Sequence, residues 1–168
     1  MKRVFWHIYI QPFPVIVIGM LFLVILWAII GKIAGKRLWW KLFNGAVFLG
    51  IVAVILYTTV YTRGENPQAP VLMPFHSFIE ARVQPELYRS MLMNIFLFEP
   101  IGLSLPNILP KKAHPVAVTV IFAMLFSISI EASQFCFQLG RCETDEVIMN
   151  TLGAVIGTAA CGLVQWHT

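Results

Sequence analysis

Apolar residues fall in five long blocks along this chain, and the polar residues collect at the joints between them. The first block runs from about Ile8 to Ile30, with Trp6 and Tyr9 placed where an interfacial aromatic belt is expected. Pro12 and Pro14 delay the regular helix, which leaves about 19 residues, enough to cross a ~30 Å hydrocarbon layer at ~1.5 Å per residue. The second block spans about Leu42 to Tyr61, the third Leu87 to Leu105, the fourth Pro115 to Phe137 and the fifth Glu146 to Trp166. Within the third, Pro100 removes the amide that would serve the Phe96 carbonyl and predicts a kink. The pattern predicts an all-α polytopic membrane bundle of about five transmembrane helices.

Inside the last two blocks the polar residues recur at helical spacing. Ser127, Glu131, Gln134 and Gln138 lie at i, i+4, i+7 and i+11, so one stripe of the fourth helix is hydrophilic. Glu146, Asn150, Gly153, Gly157 and Ala160 repeat that spacing on the fifth, polar first and small afterwards. The link between the two helices adds Arg141, Glu143 and Asp145. Charged side chains are costly in lipid, so such residues face a protein interior or a wet cavity.

Composition supports the membrane reading. The 168 residues are 58% hydrophobic and 12% charged, too little charge to cover the surface of a soluble domain. The net charge of +4 is therefore read as basic loops meeting lipid head groups, not as a nucleic-acid footprint. Three cysteines (Cys136, Cys142, Cys161) and four scattered histidines give no metal-ligand spacing, and no cofactor motif is present. Cys136 and Cys142 could meet outside the membrane, though unpaired thiols are the expectation, and no cleavable signal is evident in the long first block.

Residues 1–41 read as an extra span with a basic loop, and 42–168 as a four-span domain in which 62–86 is an extracellular connection. That connection contains Pro67, Pro70, Pro74 and Pro85, yet its stretch VLMPFHSFIEARV is too apolar for a plain linker. It is expected to lie on the membrane surface or fold back over the mouth of the bundle. Raw counts of Lys and Arg do not choose an orientation, but their company does. Lys32, Lys36, Arg37, Lys41, Lys111 and Lys112 sit in acid-free loops, whereas Arg63, Arg82, Arg89 and Arg141 are interleaved with carboxylates. The positive-inside rule then predicts the amino terminus outside and the carboxyl terminus in the cytoplasm.

On this topology three helices offer Asn94, Glu131 with Gln134, and Glu146 with Asn150 to one outward recess. Arg89, Arg141 and Glu143 stand at its mouth, and Glu99 is the deepest charge. Each residue also has a plainer role open to it. Asn94, Gln134 and Asn150 could bond from helix to helix, contributing about 0.5–2 kcal/mol apiece. Glu143, Asp145 and Glu146 could be a solvated helix start favoured by the dipole. Gly153 and Gly157 form a GxxxG pair suited to close helix packing.

Four segments in order resemble the VanZ-like family of membrane proteins: LMPF at Leu72–Phe75, NIFLFEPIGLSLP at Asn94–Pro106, EASQF at Glu131–Phe135 and ETDEVIMNTLGAVIG at Glu143–Gly157. Two positions depart from the family pattern. Glu146 stands where an aspartate usually precedes the V-I-x-N step, and Glu99 where an apolar residue usually precedes the proline, so no role is carried over to Glu99. The resemblance implies a bacterial plasma-membrane protein of the cell envelope linked to resistance to the glycopeptide teicoplanin. Membrane lipids are its expected surroundings, and a glycopeptide antibiotic or a lipid-linked cell-wall precursor its expected partner. Some relatives carry enzyme labels such as phosphotransbutyrylase, but no glycine-rich phosphate loop and no soluble acyl-transfer site support one here.

Three functions are compatible with these residues. One is a binding protein whose Glu131 and Glu146 meet cationic or amide groups while Arg89 and Arg141 meet carboxylate or phosphate. Another is an intramembrane enzyme with Glu131 or Glu146 as general base. The third is a proton-coupled transporter using Glu99, for which five spans without an inverted repeat are poor material.

Overall fold

A computed structural model describes residues 12–33 and 37–165. Trp6, Tyr9 and Lys36 lie outside the described residues. The described chain forms long helices α1 (Pro12–Ile33), α2 (Arg37–Leu56), α4 (Glu86–Ile108), α5 (Pro115–Cys136) and α6 (Thr144–Gln165), with a short α3 (His76–Glu80) in the connection. The five long helices are each long and apolar enough to cross a membrane, and no sheet forms among the described residues.

Helix α4 is the hub. It packs against α1, α2, α5 and, most extensively, α6. The reason lies in small residues. A Cβ added to Gly153 would collide with the Ile95 carbonyl, and one on Gly157 with the Glu99 carbonyl; one on Gly102 would strike Ala154. Backbones can approach this closely only where side chains are absent, the usual solution for helices that no hydrophobic effect drives together in lipid. Around this seam Phe98, Ile101, Leu105, Ile55, Ala123, Ile130 and Ala154 form the main buried cluster. Helix α4 continues as one element through Pro100 and Pro106. Helix α1 is apolar all round and leaves Val15, Ile18, Leu21, Phe22, Ile25 and Ile29 exposed, as a lipid-facing span should.

Two features shape the end where the connection lies. After Leu56, α2 widens into a π-helical turn at Tyr57–Tyr61, closed by the Thr62 amide donating to the Tyr57 carbonyl at 2.9 Å. The chain then leaves directly at Arg63. The connection folds back over the bundle. Its Asn66 amide donates to the Gln138 carbonyl, and Val71 pairs with Glu143 in an isolated parallel bridge, with 2.9 and 3.2 Å bonds to Cys142 and Thr144.

Candidate functional site

Asp145, in the first turn of α6, fixes the connection. Its carboxylate is 3% exposed and accepts hydrogen bonds from the Phe75 and Ser77 amides, the second at 2.6 Å. These are the amides that start α3, so the acid supplies the cap that α3 lacks from its own sequence. Phe75 meanwhile adopts a left-handed backbone, φ 63°, which a non-glycine residue holds only when its surroundings insist. Arg141 ties the far end of α3. It donates from Nε to Glu143 at 2.7 Å and from Nη2 to Glu80 at 3.0 Å. These bonds, first that to Glu143 and then that to Glu80, hold the guanidinium above its ordinary range, and Arg141 in turn holds the Glu80 carboxyl below the usual carboxylate value.

Under this strap lies a polar recess of about 680 Å³, lined among others by Arg63, Glu80, Gln84, Arg141, Glu143 and Glu146. Glu131, buried on α5, accepts a 2.8 Å bond from the Glu143 amide, and its other oxygen is buried without a hydrogen bond. The Glu146 carboxyl interacts with that of Glu131, and the Asn94 side chain of α4 interacts with Glu146. Arg63 acts on both acids through its charge. A second recess, about 420 Å³, lies beside Glu131 and Glu143. Leu72, Ile128, Ala132, Phe135 and Val147 line it together with Glu131 and Glu143. Glu143 thus lines both chambers, while Glu146 lines only the polar one and Glu131 only the apolar one.

The expected residues divide accordingly. Asn94, Glu131, Arg141, Glu143 and Glu146 come together. Gln134 turns away: it is fully buried and donates to the Thr59 carbonyl of the π turn at 3.0 Å. Asn150 donates to Ser127 at 2.9 Å, joining α6 to α5 below the recess. Arg89 is exposed and lines neither chamber, and the second arginine of the polar recess is Arg63. Glu99 is 1% exposed, with one carboxyl oxygen unbonded, and also lines neither chamber. The free Cys142 lines the apolar recess, where burial and then the Glu131 charge raise its thiol pKa. Among the described residues no group of His, Cys, Asp and Glu could hold a metal ion.

Comparison with known proteins places residues 20–165 within the family model described as VanZ/LLP1. Protein VanZ of Enterococcus faecium is 33% identical over 86 residues, which cover 48% of this chain and 48% of that protein. The chain thus spans about half the length of this curated relative. No solved structure matches it.

Proposed function

The chain belongs to the VanZ/LLP1 family of multi-pass plasma-membrane proteins, and from that premise we propose that it binds an amphiphilic ligand of the bacterial envelope. The polar part of the ligand enters the recess between Arg63 and Glu146, and the lipid-borne part enters the apolar recess beside it. Lipid-linked cell-wall precursors have this build, as does teicoplanin with its acyl chain, which joins the reading to glycopeptide resistance. The observation that carries it is Glu143, which lines both a polar and an apolar chamber, with Glu146 in the first and Glu131 in the second. The recess opens to the exterior in this proposal. Support comes from the opposite end of the bundle, which carries Lys32, Arg37, Lys41, Lys111 and Lys112 and no acid.

The test is a titration of lipid-linked precursor and of teicoplanin against the full chain in nanodiscs. The substitution Glu146→Gln keeps a polar side chain in the polar recess but removes its carboxyl group, so it should weaken binding by about 10- to 100-fold, the worth of one charge-assisted contact. Unchanged affinity for both ligands refutes the proposal. A second reading, an intramembrane enzyme with Glu131 or Glu146 as general base, is favoured by the side-chain contact between these two acids. Turnover of the precursor that Glu131→Gln abolishes would establish catalysis over binding alone.

A further inference from the structure

The end of the bundle away from the strap carries a separate cavity. It measures about 400 Å³ and lies among the start of α2, the end of α4, the start of α5 and the last turns of α6. Arg37, Lys41 and Lys111 line it, and no acid does. Among the described residues none of these three cations makes an ion pair. The imbalance reaches beyond the cavity. All eight acids of the chain fall between Glu65 and Glu146, and none lies in the segments that form this end. Three like charges converging on one hollow repel one another unless an anion joins them.

The wall behind the cations is already satisfied and rigid. Trp40 donates to Asn107 at 3.1 Å, and Asn107 donates to the Leu103 carbonyl at 2.7 Å. Trp40 also packs on Trp27 and Phe43 and fits against Gly31. The cations at the rim are therefore the groups left to bind. Exposed apolar side chains lie close by: Val116 in the lining itself, and Leu38 next to Arg37 on α2. A charged hollow edged by exposed apolar side chains and a tryptophan suits a molecule that has an anionic head and hydrocarbon chains.

We propose that this cavity binds the phosphate-bearing headgroup of an anionic phospholipid, with the acyl chains lying along Val116 and Leu38. The site is distinct from the recess under the strap and does not depend on it. A cavity of this size falls within the usual range for ligand sites, and basic pockets between spans are known to take anionic lipid heads.

Native mass spectrometry of the full chain released from detergent, with phosphatidylglycerol or phosphatidylcholine added, reads the site directly. The double variant Lys41→Gln/Lys111→Gln should retain phosphatidylglycerol at least about tenfold less than the natural chain. The variant Lys32→Gln/Lys112→Gln removes the same charge from outside the cavity and should retain it normally. Phosphatidylcholine should be unaffected in both. Equal loss in the two doubles, or no loss in the first, overturns the site. A parallel thermal-unfolding series separates lipid from free anion. Stabilisation by inorganic phosphate that phosphatidylglycerol does not exceed overturns the lipid assignment. Should the double variant fail to fold, the exposed Lys111→Gln alone must still lower phosphatidylglycerol retention several-fold, and retention at the natural level overturns the site.

Discussion

Removing the Asp145 carboxylate should release the strap while leaving the bundle intact. The acid accepts two backbone amides, from Phe75 and Ser77, in a nearly dry position. Hydrogen bonds to a charged group are each worth about 1.5–3 kcal/mol, so the pair contributes about 3–6 kcal/mol to holding the connection closed. The lower end, about 3 kcal/mol, corresponds to about a 100-fold larger open population in Asp145→Ala. The left-handed backbone at Phe75 adds to the effect, since it too reverts once the cap is gone. Limited trypsinolysis in detergent is the assay, with cleavage after Arg63 and Arg82 as the readout. When reclosing outpaces cleavage, the rate follows the open population, so the expected increase is about 100-fold. Asp145→Asn keeps one acceptor oxygen and should fall between, at about tenfold. Helical content by circular dichroism should not change, because α6 remains seated on α4 through Gly153 and Gly157. Cleavage of Asp145→Ala at the natural rate would refute the assignment of this acid as the anchor.

Gly157→Ala should lower thermal stability in micelles by about 1–3 kcal/mol, because the added methyl meets the Glu99 carbonyl and the Gly102 and Leu103 backbone, none of which can rotate aside. Gly50→Ala, whose Cβ would meet nothing within 4 Å, is the matched control and should not destabilise, gaining up to about 1 kcal/mol of helix propensity. The Cys142 thiol, its pKa raised first by burial and then by the Glu131 charge, should be alkylated slowly at neutral pH and faster as pH rises through that raised value. Glu131→Gln removes the Glu131 charge, the largest cause after burial, and should accelerate the reaction at fixed pH, measured by mass spectrometry of the labelled peptide. An unchanged rate would separate the two side chains.

The spans were legible because each is a long apolar run that hardly any other structure can accommodate. Their ends were less so. Helix α2 begins at Arg37 rather than near Leu42, since Arg37 and Lys41 can extend their heads to the interface while their stems stay on the helix. Helical spacing also placed Glu131, Glu146 and Asn94 on converging faces. Spacing names a stripe, however, and not a neighbour. Gln134 follows Glu131 by three residues, about 300° of rotation, and that shortfall of about 60° turns it onto the Thr59 carbonyl. Arg63 had no periodic pattern to reveal it, because it lies in an irregular connection and is positioned by the π turn before it. Asp145 was read within an acidic helix start, and its burial follows only from the return of LMPF over the bundle.

The two arginines of the recess are not equivalent, and this separates scaffold from ligand contact. Arg141 is occupied: Glu143 takes its Nε and Glu80 its Nη2. An arriving anion would have to break bonds that also hold α3 in place. Arg63 faces Glu131 and Glu146 but makes no close ion pair among the described residues, so its donors can turn to a phosphate or carboxylate at little structural cost. Arg141→Gln should accordingly raise trypsin cleavage at Arg82 and weaken ligand binding together. Arg63→Gln should weaken binding of an anionic lipid-linked precursor by about tenfold or more, the value of one charge-assisted contact, with cleavage at Arg82 unchanged. If both variants loosen the strap alike, Arg63 is part of the scaffold and the recess lacks a cation for its ligand. If Arg63→Gln changes neither readout, the anionic part of the ligand does not enter this chamber.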